Sequence, residues 1–291
     1  MQQLFVNTLL AASVLALVAA GFGIIYSTAR FFYFTHGAVY AVGAYSTYLL
    51  VIILHLPPAL GILGGVAIAV LLGGLMARFI YGPLRRARAD SLVLLLTSLG
   101  LFIVIQNVIS LLFGDQTYSL SRGPVREGVS FLGGRITEIQ AAIAIASLAL
   151  VTILLLLFKF STYGKKLRAV ASDLELAQVV GIRSNRIIFL SFLVSSGLAG
   201  LAGIFSAYDT GLTPNMGLRI LLLAVAASVV GGIRSVTGTL LGSLLIAFAQ
   251  NFGIIWLPSQ WQDAIVFLIL ILFLVLRPQG FFGKPLSKEA I

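Results

Sequence analysis

The chain has 291 residues, of which 59% are apolar and 10% are charged, and its mean hydropathy is +1.08. A soluble domain carries about 25% charged residues, so this composition excludes an ordinary soluble domain and predicts a membrane protein. The net charge of +10 comes from 19 Lys and Arg against 9 Asp and Glu. Most of the basic residues lie between apolar segments, which favours a role in membrane topology over nucleic-acid binding. The chain has no cysteine, which excludes disulfides and thiolate metal sites.

Nine apolar segments follow one another along the chain. A spanning helix needs about 20 apolar residues to cross a hydrocarbon core about 30 Å thick. We therefore predict an all-α fold, a polytopic integral membrane helical bundle of about nine spans (eight to ten), as one transmembrane domain over residues 1–291. The segment 218–233 is short and carries Arg219 at its start, so we predict a broken or tilted span there. The predicted spans are 4–29, 36–54, 59–81, 91–113, 140–158, 187–207, 218–233, 237–256 and 262–276.

The distribution of basic residues predicts the orientation of the chain. Nine spans place the two ends on opposite sides, and one side then carries 15 Lys and Arg while the other carries four. The positive-inside rule assigns the richer side to the cytoplasm. We expect a multi-pass protein of the cell (inner or plasma) membrane with its N-terminus outside, its C-terminus in the cytoplasm, an external loop at 114–139 and a cytoplasmic loop at 159–186. The four basic residues of the outer side are Arg122, Arg126, Arg135 and Arg219.

Two glycine-bearing polar breaks, each followed by a helix of small residues, favour a weak internal repeat. The first break runs from Tyr33 to Gly43 and the second from Gly211 to Gly217. Paired breaks of this kind are typical of transporters with broken or re-entrant segments.

The cytoplasmic loop contains a short amphipathic segment. Ser172 and Glu175 have the spacing of a capping box, which predicts a helix that begins near Asp173, and Gly181 is a natural C-terminal stop. Such a helix can dock into a groove of a soluble partner, or it can lie at the membrane interface without a partner. Both interpretations stay open on spacing alone. The face of apolar and small residues consists of Leu174, Ala177, Val180 and Gly181.

Several polar side chains fall inside or at the ends of predicted spans. In lipid their ordinary use is hydrogen bonding between helices, and the alternative is a polar translocation path. A lone histidine at the start of a helix is ordinarily a cap or a packing residue, and the alternative interpretation of His36 is a proton switch. Asp209 and Asp263 are either solvated at the outer boundary or act as a gate or docking contact for an external binding protein. The hypothetical path residues are Thr35, His36, Gln106, Asn107, Thr210 and Asn215, and further polar positions are Asn7, Gln250 and Asn251.

Small residues recur near the last spans. Gly238 and Gly242 have the spacing of closely packed helices, and Gly231 with Gly232 is interpreted as a hinge or tight turn at the cytoplasmic face.

The sequence lacks the motifs that are typical of several function classes. The sequence has no Gly-x-x-x-x-Gly-Lys-[Ser/Thr] loop for nucleotide and no His-Glu-x-x-His zinc motif. No acidic residue falls at the centre of a predicted span, whereas ion-coupled transporters ordinarily need one. We predict no catalytic residue, no metal and no cofactor on this chain, and therefore not an enzyme.

Four groups of residues together resemble a known family. The stretch Gly82 to Arg86, with Leu95 to Gly100 and Ile105 to Asn107, is similar to the branched-chain amino acid ABC permeases, of the type that forms the first of their two permease subunits. Three departures from the family pattern are Tyr33, Thr35 and Arg234, so other small solutes such as urea and short amides remain alternative substrates. The other three groups are Phe34 to Gly37 with Gly43, Gly164 to Gly181 with Arg186, and Gly231 to Gly238.

The resemblance implies a function and a set of partners. It implies a permease subunit of an ATP-driven importer for branched-chain or related amino acids, working by alternating access. The implied partners are two cytoplasmic ABC ATPase subunits, a second permease subunit in a heterodimer, an extracytoplasmic substrate-binding protein and the lipid bilayer. It also implies that 173–181 is the coupling helix that receives the movement of the ATPase. The alternatives from other classes are a partner-free channel or facilitator for a small solute and an integral-membrane enzyme.

Overall fold

A computed structural model describes residues 1–121, 128–131, 134–233, 235–277 and 279–282. Eight helices in these ranges are long and apolar enough to cross a membrane, and a ninth apolar helix is shorter. The predicted all-α membrane bundle is therefore confirmed. Three arginines named above, Arg122, Arg126 and Arg234, lie outside the described residues. The helices in chain order are α1 (Gln2–Ala29), α2 (Thr35–Tyr48), α3 (Pro58–Met76), α4 (Gly82–Arg86), α5 (Ser91–Phe113), α6 (Glu138–Phe160), α7 (Thr162–Ser172), α8 (Leu174–Val179), α9 (Ser184–Asp209), α10 (Met216–Gly231), α11 (Val236–Gly253) and α12 (Gln262–Leu276).

Two of the spans are longer than their α-helical parts. α2 continues through a π-helical turn over Leu49–Ile53, and α3 continues through Ala77–Tyr81 into α4. The shorter helix, α10, has 16 residues and is about 24 Å long at 1.5 Å per residue. It is too short to cross a core about 30 Å thick, which agrees with the broken or tilted span predicted for 218–233.

The bundle has two ends, which we call the N-terminal side and the C-terminal side. The N-terminal side contains the start of α1, the connection between α9 and α10, and the start of α12. It also carries a short antiparallel hairpin, β1 (Val129–Phe131) and β2 (Gly134–Ile136), which the sequence did not predict. Gln3 ties this hairpin to α1, since its side chain accepts from the Arg135 N–H at 2.8 Å and donates to the Arg135 carbonyl at 3.0 Å.

The core of the bundle is built by α1, α2, α9 and α10, which pack large apolar side chains and also touch through small residues. A Cβ atom on Gly43 would lie 2.6 Å from Gly200 Cα, so α2 and α9 touch backbone to backbone. In lipid there is no hydrophobic driving force between helices, so close van der Waals packing of this kind stabilises their association. By contrast α3, α5, α6 and α12 keep many large apolar side chains exposed, which is typical of helix faces that contact acyl chains.

The loop 159–186 contains two helices instead of the one predicted. α7 was missed because its polar residues mask a buried stripe, and the Ser161 hydroxyl caps it by accepting from the Gly164 N–H at 3.0 Å. The predicted capping box at Ser172 is wrong, because Ser172 is the last residue of α7. The cap of α8 is Asp173, whose carboxylate accepts from the Leu176 N–H at 3.0 Å.

Candidate functional site: two cavities and a closed waist

A cavity of about 840 Å³, which we call the vestibule, reaches the N-terminal side of the bundle. It lies between α1, α9, α10 and α11, and the connection between α9 and α10 forms part of its wall. Leu15 lines it 13 residues after Gln2, about 20 Å along α1, so the vestibule extends well into the bundle. Its polar lining residues are Asn7, Tyr40, Gln140, Ser206, Asp209, Thr210, Thr213, Asn215, Arg219, Gln250, Asn251 and Gln262.

The charged groups of the vestibule are held by hydrogen bonds. Gln140 Nε2 donates to Asp209 Oδ1 at 2.8 Å. Arg219 Nε lies 3.0 Å from Asp263 Oδ2, and its Nη2 lies 3.1 Å from Oδ1, which links α10 to α12. Gln250 Nε2 donates to the same carboxylate at 3.1 Å. The vestibule therefore offers a carboxylate, a guanidinium group and several amides to a polar solute, with Leu10, Val14 and Ile143 as apolar wall.

The hypothetical path residues separate into three groups. Thr210 and Asn215 line the vestibule. Gln106 reaches it indirectly, because its amide donates to Asn215 Oδ1. Asn107 is exposed on the other face of α5 and donates to the Ile103 carbonyl of its own helix at 2.8 Å, so it lies outside the vestibule.

Thr35 and His36 also lie outside the vestibule, in the packed core. The Thr35 hydroxyl donates to the Ser98 carbonyl at 2.9 Å and lies 3.0 Å from the Tyr81 hydroxyl. The Thr35 N–H donates to Ser98 Oγ at 3.0 Å, which satisfies a free N–H at the start of α2. His36 is fully buried with Nε2 3.1 Å from the Val18 carbonyl oxygen. Both residues thus fix the start of α2 against its neighbours.

A second cavity, which we call the C-side cavity, has a volume of about 520 Å³. It lies at the opposite end of α1 and α11, with α6 and α7 as its other walls. Ala20, Ile24 and Ser27 of α1 line it, and so do Leu167 and Ala171 of α7. The same two helices, α1 and α11, therefore line one cavity on each side of the bundle.

A closed segment, which we call the waist, separates the two cavities. It is the contact of α1, α10 and α11 around Ala19, Ser228 and Gly242. Ser228 Oγ donates to the Ala224 carbonyl of its own helix at 2.7 Å and lies 3.2 Å from the Ala19 carbonyl oxygen of α1. A methyl group on Gly242 would overlap the Ala227 carbonyl oxygen, so α10 and α11 are in backbone contact there. Residues 16–19 of α1 line neither cavity.

The predicted small-residue positions lie at the end of the waist nearest the C-terminal side. A methyl group on Gly231 or on Gly238 would overlap the carbonyl oxygen of the other residue. Gly232 follows α10 with φ 104°, a left-handed conformation that favours glycine. The arrangement is a tight turn between two closely packed helices, and movement about it remains a prediction.

The pair of helices α7 and α8 is attached to the bundle at several points. Arg30 Nη2 donates to the Ser172 carbonyl at 3.0 Å, which ties the end of α7 to the end of α1. The Tyr163 hydroxyl lies 3.2 Å from Ser191 Oγ on α9, and burial raises the pKa of Tyr163. On α8, Ala177 is buried against the bundle.

The exposed side of α8 carries apolar side chains next to the exposed Glu175 and Gln178. Leu176, Val179 and Val180 are all exposed, Val179 to 82%. The predicted apolar face is therefore wrong in part, because Leu174 and Ala177 face the bundle whereas Val180 faces away. Gly181, with φ 82°, ends the helix, and the Ile182 N–H donates to the Ala177 carbonyl at 2.9 Å.

Sequence reasoning missed several residues of the site. Gln140 was not singled out, because its position in the capping box of α6 with Thr137 gives no sign of its bond to Asp209. Arg219 was interpreted as a topology signal, although a lone arginine at the start of a short apolar segment also marks a polar cavity. Within the described ranges, no three His, Asp or Glu side chains come together as a metal site.

A multi-pass helical bundle with a cavity on each side of a closed waist has the architecture of a membrane permease. Residues 4–274 match the family "Branched-chain amino acid transport system / permease component", and the chain belongs to this family. The family resemblance drawn from the sequence motifs is thereby confirmed.

Individual relatives agree with the family assignment. The chain is 31% identical to the high-affinity branched-chain amino acid transport system permease protein LivH of Salmonella typhimurium, over 98% of this chain and 96% of the relative. It is equally similar to BraD of Pseudomonas aeruginosa, a permease protein with the same description, at 31% identity over 98% and 96% of the two chains. Among solved structures, PsaBC from Streptococcus pneumoniae in complex with Fab is similar with a TM-score of 0.52 and 16% identity, covering 95% of this chain and 92% of that one. At that identity the likeness concerns the fold alone.

Proposed function

We propose that this chain is the translocation subunit of an ATP-driven ABC importer for branched-chain or related amino acids. The observation that carries the proposal is the pair of cavities at opposite ends of α1 and α11, separated by the waist. A solute in the vestibule reaches the C-side cavity once the waist opens and the vestibule closes, which is alternating access. Family membership and the similarity to the branched-chain amino acid permease proteins LivH and BraD support this assignment.

The orientation follows from charge. The sequence assigns four Lys and Arg to the side on which the chain starts and 15 to the other, so the N-terminal side is extracytoplasmic by the positive-inside rule. The vestibule then receives its solute from an extracytoplasmic binding protein, and the C-side cavity opens to the cytoplasm.

The lining of the vestibule suits a free amino acid. Asp209 and Arg219 carry opposite charges, as the ammonium and carboxylate groups of the solute do, and amides supply further hydrogen bonds. Leu10, Val14 and Ile143 supply an apolar surface for an aliphatic side chain. Polar groups that fix orientation within an otherwise apolar wall are the usual composition of a small-molecule site.

Helices α7 and α8 (162–179), which we call the α7–α8 lever, transmit movement of the ATPase to the C-side cavity. Leu176, Val179 and Val180 form an apolar patch on the cytoplasmic surface, and a patch on a helix docks into a groove of its partner. α7 lines the C-side cavity and is tied to α1 through Arg30, so movement of α8 reaches the waist along α1. ATP is hydrolysed on separate ATPase subunits, the chain itself is not an enzyme, and a second permease subunit completes the membrane part as a heterodimer.

Reconstitution in proteoliposomes tests the proposal. Leucine uptake should require the ATPase subunits, the binding protein and ATP. The L176E/V179E variant should insert and fold normally but lose ATPase subunits on purification and lose uptake. The matched control is Asp173→Asn, which keeps an oxygen acceptor for the cap of α8 and should keep uptake. Full-rate leucine flux from the chain alone, without ATPase subunits, would instead establish a facilitator and overturn the importer.

A further inference from the structure

A third cavity, of about 560 Å³, lies on the C-terminal side between the α3–α4 extension and the start of α9. We call it the arginine cavity, because Arg78, Arg85, Arg86 and Arg186 all line it. Four aromatic residues also line it, among them Phe79, which lies on the outer face of the extension. It shares no residue with the vestibule or the C-side cavity.

The four guanidinium groups of the arginine cavity have no counterion among the described residues. No Asp or Glu of the described ranges lines the cavity. Within the described part of the chain, none of the four side chains makes a hydrogen bond or an ion pair. Arg85 is half-buried, so its charge is partly removed from water. Four like charges around one cavity repel one another, and an anion that accepts several guanidinium hydrogen bonds would relieve that repulsion.

An apolar stripe leads along the membrane-spanning part of α3 to the same cavity. Leu71, Leu75 and Phe79 are exposed and are spaced four residues apart, so they form one row on the outer face. Phe79 belongs both to this row and to the cavity wall. A row of exposed apolar side chains within a span contacts acyl chains, whereas the arginines lie at its C-terminal-side end, where headgroups are found.

We propose that the arginine cavity binds the phosphodiester headgroup of an anionic phospholipid, with an acyl chain along the Leu71–Phe79 row. A guanidinium group can donate two parallel hydrogen bonds to two oxygens of one phosphate, and it stays charged at every physiological pH. A soluble phosphate could fill the cavity but could not use the apolar row, so the combination of the two features favours the lipid. This inference is independent of the transport function.

The test is lipid binding by the delipidated full-length chain in detergent, measured by native mass spectrometry. The probes are phosphatidylglycerol, phosphatidylcholine and inorganic phosphate. The test variant is R85Q/R186Q, and the matched control is R88Q/R183Q, which removes the same charge from the same two segments at positions that do not line the cavity. The wild type and the control should bind phosphatidylglycerol in preference to phosphatidylcholine. R85Q/R186Q should bind it at least about tenfold more weakly, since two of the four guanidinium groups that donate charged hydrogen bonds to the headgroup are lost.

Thermal unfolding checks the fold and gives a second readout. Without lipid, R85Q/R186Q should unfold at or above the wild-type temperature because like charges are removed, and phosphatidylglycerol should stabilise the wild type more than this variant. R85K/R186K, which keeps the charge but not the paired hydrogen bonds, should bind with intermediate affinity. Equal lipid affinity in the two double-glutamine variants would overturn the proposal. Binding of inorganic phosphate as tight as that of phosphatidylglycerol would also overturn it. If R85Q/R186Q bound lipid normally but lost the ATPase subunits on purification, the cavity would be a protein contact and the proposal would be wrong.

Discussion

Gly37 and Gly217 touch through their backbones, at the start of α2 and the start of α10. A methyl group on either residue would overlap the carbonyl oxygen of the other. These two residues belong to the two polar breaks that the sequence pairs as a weak repeat, and the breaks meet inside the bundle. Helices that begin within a bundle, with their ends in contact, are the discontinuous elements that transporters place beside their substrate paths.

Substitution of either glycine tests this contact. Gly37→Ala or Gly217→Ala should destabilise the protein by about 1–3 kcal/mol, because the added methyl group has no space. Gly100→Ala is the matched control, since nothing lies within 4 Å of a Cβ there, and it should stabilise its helix by about 0.5–1 kcal/mol. Thermal unfolding in detergent measures both effects, and equal stability of all three variants would contradict the contact.

Thr35 should act as a structural residue at the start of α2. Thr35→Val keeps the shape of the side chain but removes its bonds to Ser98 and Tyr81, and it should cost about 1–3 kcal/mol of unfolding free energy. Thr152→Val is the control, because that exposed hydroxyl bonds only to the Leu148 carbonyl of its own helix. Its effect should stay within about 0.5 kcal/mol. A larger loss in the control than in Thr35→Val would refute the assignment.

Gln106 and Asn107 are adjacent amides with different expected effects. Gln106→Leu removes the bond to Asn215 in the vestibule wall and should lower leucine uptake by up to about tenfold, since one hydrogen bond contributes about 0.5–1.5 kcal/mol. Asn107→Leu, which faces away from the vestibule, should transport normally. Uptake by reconstituted importer measures the difference, and the reverse order of effects would place the path on the other face of α5.

The ion pair between Arg219 and Asp263 should contribute little to stability. The two side chains are 62% and 40% exposed, and exposed pairs are worth about 0–1 kcal/mol. Arg219→Gln and Asp263→Asn should therefore each change the free energy of unfolding by less than about 1 kcal/mol, and added salt should shrink the difference. A loss well above that range would mean that the pair is a buried structural element and not part of an open vestibule wall.

The spans were predictable from sequence because each depends on one local property, a long apolar run. The segment Ser91–Phe113 was predicted to the residue. The N-terminal cap of α8 was not predicted correctly, because Ser172 and Asp173 are both good capping residues and the choice between them depends on where α7 ends. The Asp209 carboxylate accepts a hydrogen bond from Gln140, 69 positions away in the sequence. No local sequence pattern predicts such a contact.

The side chains of the site were harder to assign than the spans. Thr35, His36 and Asn107 are polar residues in apolar surroundings, as the vestibule residues are, and only packing separates the two groups. His36 fits against Gly21 and the Val18 carbonyl, and the sequence contains no sign of that contact. The roles of the vestibule, the waist and the α7–α8 lever in transport remain predictions.

Cysteine labelling tests the central claim most directly, because the chain has no cysteine of its own. A single cysteine at Thr210, in the vestibule wall, should react with a membrane-impermeant maleimide in intact cells. A single cysteine at Gln178, on α8, should react only after the membrane is permeabilised. Labelling of the Gln178 position in intact cells, with the Thr210 position protected until permeabilisation, would invert the protein in the membrane and contradict both the vestibule and the lever.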